Sequence, residues 1–237
     1  MIRYAVTILL VTLLAGCASP SVTPPKDSKL AVVSVLGSDL SLRQVGITVF
    51  GNSAKVINVS SWNVDEHVAE SLRSGLNAAG FGTTAMDPGW KSALGAISFF
   101  PFLSSYSFAG GAEGVQRAAR AAKVDYLIIV AAAPSSFGDP FFGTNQDISG
   151  YGVYQRRGRG NIDFAHVAVI LVDGKTGEVL DGRNGAESTL RSDDLWIDVD
   201  AALLLPSTLG EPREAFLSTI DAAVQKALGH MKLLSAR

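Results

Sequence analysis

The stretch AEGVQRAARAAK (112–123) runs directly into VDYLIIVAAA (124–133), and this junction decides the fold. In the first part Val115, Ala118, Ala119 and Ala122 recur at helical spacing, while Arg117, Arg120 and Lys123 fall on the other side. Small inward residues let such a helix lie close against a sheet. The second part is apolar almost throughout, the pattern of a strand covered on both faces. A helix feeding such a strand predicts a sheet with layers on either side, hence a mixed α/β fold.

Working outward, residues 162–173 and 178–188 read as two strands joined at Gly174-Lys175-Thr176-Gly177, a hairpin with His166 on its polar face. Further on, Phe216, Ile220, Ala223, Val224, Ala227, Leu228 and Met231 keep helical spacing behind Pro212, so 211–234 is a long helix covering one sheet face. Upstream, 30–36, 42–50 and 54–59 carry strand patterns, most simply arranged as an antiparallel meander. Asn63 with Glu66 three residues later predicts a capping box that opens a helix along Val64, Val68, Leu72, Leu76 and Ala79. Gly80 supplies its stop, and 81–86 is a short strand. The expectation is an α/β (α+β) domain: a single mixed sheet of about six strands with three main helices packed on it.

Two stretches do not reduce to this frame. In 97–108, Phe99, Phe102, Leu103 and Tyr106 fall at i, i+3, i+4 and i+7, one face of a helix. With Phe100 and Phe108 the segment could present over ~600 Å² of aromatic surface, more than soluble monomers usually expose. It is buried in its own core, in a partner, or at a membrane surface. Residues 134–161 form a long connection in which Phe137, Phe141, Phe142, Tyr151 and Tyr154 alternate with glycines before Arg156, Arg157 and Arg159. Connections beyond about 12–15 residues are usually functional or disordered. This composition favours a contact surface or a long twisted hairpin.

The amino terminus speaks to location. Arg3 precedes an apolar run, Tyr4 to Leu14, that ends in Leu14-Ala15-Gly16-Cys17. That is a secretory leader with small residues at the cut, and its apolar run falls short of the roughly 20 residues a spanning helix needs. The last four residues match a lipobox, in which Cys17 becomes the acylated first residue. Cys17 is the only cysteine of the 237 residues, so no internal disulfide forms and no thiol is left for catalysis. Several acyl chains on one residue make a lasting anchor. Ala18, rather than aspartate, after the cysteine points to the outer membrane, facing the periplasm. The expected organisation is a leader at 1–16, anchor and flexible Ser/Pro/Thr-rich tether at 17–29, and a periplasmic domain at 30–237.

Chemistry is harder to find. The net charge of −2 with pI near 5.9 does not favour nucleic acid as a partner. Gly174-Lys175-Thr176 resembles the end of a phosphate loop, but Val169 stands where the first glycine belongs and a hairpin follows instead of a helix. Gly80-Phe81-Gly82-Thr83-Thr84-Ala85 follows a helix, where a dinucleotide fingerprint must follow a strand. No G-x-S-x-G elbow exists, and His67, His166 and His230 lack metal spacing, so neither a metal site nor a cofactor is expected. The acids Asp193, Asp194, Asp198 and Asp200 could pair as acid and base, but they fail the calcium-loop pattern at Ala202 and Leu203 and read better as solvated loop residues.

The helix ending at Ala79-Gly80-Phe81, the junction Ala121-Ala122-Lys123-Val124-Asp125-Tyr126-Leu127-Ile128, and the hairpin Leu171-Val172-Asp173-Gly174-Lys175-Thr176-Gly177-Glu178 together resemble a periplasmic α/β domain shared by several outer-membrane lipoproteins. These include the curli-secretion channel lipoprotein, lipoprotein activators of penicillin-binding proteins, and the amino-terminal domain of the Tol-system propeller protein. The resemblance spans roughly 63–188 and implies a non-enzymatic, partner-binding domain. The sequence therefore predicts a lipid-anchored envelope protein that binds a partner protein or assembles with itself. Its expected contact residues are Phe99, Phe100, Phe102, Phe137, Phe141, Phe142, Tyr151 and Tyr154, with Arg156, Arg157 and Arg159 reading anionic groups. The alternative is a hydrolase of envelope polymer using the acids at 193–200.

Overall fold

The computed structural model describes residues 22–45, 53–86, 89–100, 105–137, 146–156, 160–190, 212–231 and 233. The helical stripes form as their spacing requires. In α1 (Val64–Ala78), Val64, Val68, Leu72 and Leu76 are buried, and Asp65 and Glu66 sit in the first turn, where the helix dipole favours acids. The expected capping box is absent. Asn63 is left-handed (φ 50°, ψ 44°) and its side chain caps nothing, because its amide closes the preceding 3-10 turn on Ser60 O at 3.2 Å. α2 (Trp90–Leu94) is a short turn of helix, α3 (Gly111–Ala122) carries the alanine-rich stripe, and α4 (Pro212–Met231) is the long C-terminal helix.

The strands are β1 (Lys29–Ser34), β2 (Asp39–Val45), β3 (Ser53–Asn58), β4 (Gly82–Ala85), β5 (Ile97–Phe100), β6 (Ser105–Phe108), β7 (Tyr126–Ala132), β8 (Pro134–Phe137), β9 (Gln146–Arg156), β10 (Gly160–Asp173) and β11 (Val179–Leu190). Eight of them make one mixed sheet and β8 adds a ninth by pairing with the start of β9, so the sheet is larger than the six strands expected. The additional strands include β8 and β9, which come from the stretch expected to be a long connection.

The registers divide this sheet into two halves along the strand direction. β10 pairs with β7 through Val167–Asp173 and with β9 through Gly160–His166, while β11 follows β10 along its length. β1 pairs in parallel with β4 and β7, and the chain then continues the same way into β2, which pairs in parallel with β9. The expected meander is thus confined to β2–β3. β1 is a middle strand because its run Leu30–Ser34 is apolar enough to be covered on both faces. The half nearest Lys29 reads β4-β1-β7-β10-β11, and we call it proximal. The distal half reads β3-β2-β9-β10-β11.

The front face is covered along both halves. α1 and α4 bury Leu30, Val32, Ile128, Val153, Val167, Val169 and Leu171 in one continuous core. α4 lies so close to β11 that a Cβ at Gly185 would fall 1.8 Å from Ala223 O. The back face is covered differently. In the proximal half, α3 and the β5–β6 hairpin bury Ala31, Val33, Leu127, Ile129, Ala168, Ile170 and Val172. In the distal half the described cluster is small: Ile148, Tyr154 and Phe164, with Ile162 beside it.

Phe99 and Tyr106, expected on one face of a helix, therefore lie on two strands, while Phe102 and Leu103 fall outside the described residues. Ile97 and Phe99 alternate along β5 against Phe108 and Tyr106 on β6, and this apolar side packs onto the back face. The 3.6-residue spacing was a coincidence of two short alternating strands. His166, expected on a polar face, is buried at 1% exposure with its ring edge-on to Phe164 at 5.7 Å. Alternation tells that two faces exist, not whether the second is covered.

Candidate functional site

A recess of about 480 Å³ lies where the sheet edge steps from β4 to β3. Its floor is the end of β1 (Val33, Ser34) and the link Gly37-Ser38, and its walls are Asn63 with one side of α1 (Asp65, Glu66, Arg73) and the end of β4 with the residue after it (Ala85, Met86). This is the carboxyl end of parallel strands β1 and β4, a place where open sheets leave a crevice. Asp65 is fixed there by the Ser34 hydroxyl at 2.7 Å and the Gly37 amide at 3.2 Å. Below it, the Tyr151 hydroxyl donates to Gly37 O at 3.0 Å. Burial, then Asp65 and Asp39, raise the Tyr151 phenol well above its usual range, so it stays a neutral donor.

The recess can accept hydrogen-bond donors and cationic groups through Asp65 and Glu66. Arg73 is drawn to Glu70 by an ion pair and reaches Ala69 O at 3.4 Å. Among the described residues that line it there is no histidine, cysteine or lysine to act as base or nucleophile. Among the described residues as a whole, no group of three or more His, Cys, Asp or Glu could hold a metal ion, and no helix is long and apolar enough to cross a membrane.

The residues expected to make contact fare unequally. Tyr151 and Tyr154 are buried at 1% and present no aromatic surface: β9 lies between β2 and β10, so their rings enter opposite layers of the fold. Phe99 is half-buried, stacked at a tilt on Tyr106 with centroids 4.9 Å apart, and belongs to the proximal core. For Phe100, Phe137 and Arg156 only the backbone, in β5, β8 and β9, is described. Cys17, Phe102, Phe141, Phe142, Arg157 and Arg159 lie outside the described residues, as do the acids at 193–200.

Sequence reasoning missed the recess because its residues come from 32–86 and converge only when β1, α1 and β4 are assembled. It also missed two exposed apolar side chains on strands, Val56 at 60% and Leu190 at 68%. His67, expected at the surface, is partly exposed and meets Asp221 of α4 at 3.0 Å, joining the two front helices. Gly174-Lys175-Thr176 is the expected turn, held by Asp173 Oδ1, which accepts from the amides of Lys175 (2.7 Å) and Thr176 (2.9 Å).

No protein-family model and no curated protein matches the chain. Solved structures similar to it include the PelC dodecamer from Paraburkholderia phytofirmans, at 12% identity over 93% of this chain and 94% of that one with a TM-score of 0.39. Lipoprotein GNA1162 from Neisseria meningitidis is 9% identical over 79% of this chain and 99% of that one, TM-score 0.35. The LpoB C-terminal domain from Salmonella enterica is 17% identical over 75% and 91%, TM-score 0.30.

Proposed function

We propose that this chain is a lipid-anchored envelope protein that binds another protein, or further copies of itself, without catalysis. Acylation of Cys17 after removal of 1–16 would fix it to the outer membrane, with the domain in the periplasm. The observation that carries this reading is positional. The chain comes into the fold at Lys29, where Asp125 takes the Lys29 amide at 3.1 Å and Lys26 lies over the Phe81 ring at 3.9 Å. The recess lies at the other end of β1, and the exposed Val56 and Leu190 lie further on, in the distal half. A tethered body thus turns its bare features away from the bilayer.

Two measurements test this. Intact mass of the membrane-extracted protein should show a mature chain beginning at an acylated Cys17, and an unmodified amino terminus refutes the anchor. A photo-crosslinker placed at Ser38 or Val56 in cells should capture protein, whereas one at Lys175 beside the incoming chain should not. Equal capture at both ends, or none at either, removes the binding claim.

A further inference from the structure

The two ladders that flank β1 are of unequal length. The one to β7 runs on to Ser34 opposite Val130, while the one to β4 already ends at Val32 opposite Ala85. The Val35 amide donates to Val130 O at 2.8 Å, so Val35, and Val33 before it, turn their backbone groups toward β7. Successive residues of a strand offer these groups to opposite sides. Ser34 therefore presents its amide and carbonyl on the side where β4 has ended. Among the described residues neither group has a partner, although Ser34 is only 2% exposed and its hydroxyl is given to Asp65. Backbone groups so placed are met by ordered water or by a chain that extends the ladder.

The surroundings favour a chain. Ser34 lines the recess described above, and so do Ala85 and Met86, where β4 gives out. At about 480 Å³ the recess falls within the roughly 300–1,000 Å³ of pockets that enclose a ligand. Its lining is apolar along Val33, Val64, Ala69 and Met86, a surface better suited to side chains than to water. The outer edge of β4 is a poorer place to add a strand. There Asn77 Oδ1 already takes the Thr83 amide at 3.2 Å and its hydroxyl at 2.8 Å.

Charge then selects the side chains. The recess carries two carboxylates, Asp65 and Glu66, and among the described residues that line it Arg73 is the only cation, already paired with Glu70. The Glu66 carboxylate is exposed. Asp39 adds a further negative charge close enough to act, with Asp65, on the Tyr151 phenol. A strand added at Ser34 would continue the line of β4 and turn alternate residues toward α1. A lysine or arginine on it can lay its methylene stem along the apolar lining and bring its charged head to Glu66 and Asp65. An acidic segment would meet like charges, and a small cation would leave the Ser34 groups unmet.

We propose that the recess receives an extended segment of a partner protein, which adds to the sheet at Ser34 beyond the end of β4 and sets a lysine or arginine against Glu66 and Asp65. This names the kind of partner for the protein binding proposed above and rests on that reading.

The test uses the full chain in detergent, with hydrogen exchange resolved to single amides. Without ligand, the Ser34 amide should exchange at least tenfold faster than that of Val35, which is bonded to Val130. Acetyl-Val-Lys-Val-Lys-Val-amide at millimolar excess should slow Ser34 at least tenfold, and acetyl-Val-Glu-Val-Glu-Val-amide should leave it unchanged. Glu66→Lys should abolish the slowing and Glu66→Gln should weaken it, with exchange at Val35 unmoved in both. No slowing by the basic peptide, equal slowing by the acidic one, or full slowing in Glu66→Lys overturns the proposal. In cells, a photo-crosslinker at Ser38 should capture a segment with a lysine or arginine beside the link, and Glu66→Lys should cut that yield at least fivefold. Capture of an acidic segment, or of another copy of this chain, overturns it. Capture at Val56 with none at Ser38 removes this site and leaves the partner-binding reading standing, whereas capture at neither removes both.

Discussion

The proximal and distal halves share β10 and β11 yet are built to different standards. In the proximal half β7 sits between layers, with Ile128 and Val130 in the front core and Leu127 and Ile129 in the back one. Of its two outer strands, β4 is short and stopped by Asn77, and β11 is shared with the distal half. In the distal half the front face is filled, the back face buries few described residues, and β3 and β11 each pair on one side only among the described residues, with the Ser188 amide of β11 taken by Glu187 and its Ala186 carbonyl by Lys226. The proximal half is thus packed on both faces and the distal half, among the described residues, chiefly on one. Such a division lets the distal half open locally without endangering the proximal core, since local openings need not reach the global unfolding energy.

The sharpest way to break this comparison is to thin the proximal core. Leu127→Ala removes a fully buried side chain from β7 and should lower unfolding stability by about 2–5 kcal/mol in urea titration. A cost under about 1 kcal/mol would mean that the proximal half is not the stable one. Alkaline titration probes the same core. Burial raises the Tyr106 phenol to about 12, against 10.0 for a free tyrosine. The folded state thus resists losing that proton, so stability is fully present below pH 10 and should fall by roughly 2–3 kcal/mol as pH rises toward 12. Absorbance at the tyrosinate band should show Tyr106 ionising late, and Tyr106→Phe should flatten this loss.

The distal half is sharpened by Gly152→Ala. A Cβ there would fall 1.9 Å from Ser41 O, so β2 must move away from β9. Overpacking of this kind costs roughly 1–3 kcal/mol. Hydrogen exchange should speed up in β2 and β3 while β7 stays protected; equal loss in both halves would show that they open as one. The smallest effect is expected at Asp221→Asn, which removes the half-exposed pair with His67. Its cost should stay within about 1 kcal/mol.

Much of the frame was legible before any coordinates. α1, α3, α4, β7 and the β10–β11 hairpin follow from long periodic or apolar runs, where burial and local preference agree. The errors are of another kind. Ile97, Phe99, Tyr106 and Phe108 satisfy a helical spacing and a strand alternation at once, and only packing onto Leu127 and Ile129 chooses between them. Asn63 has the right residue type for a cap, but the turn before it uses its backbone. Tyr151 and Tyr154 read as surface because their neighbours are glycines, yet those glycines are there to let strands and rings approach. The recess had no local signature at all, being made only where β1, α1 and β4 come together.

The way the chain leaves β1 has a mechanical consequence. A pull delivered through the residues before Lys29 runs along β1, whose parallel ladders to β4 and β7 flank it on both sides. Those hydrogen bonds are loaded in shear, together, and cannot be opened one after another like a zipper. A pull on the chain before Lys29 is therefore met by both ladders of β1 at once.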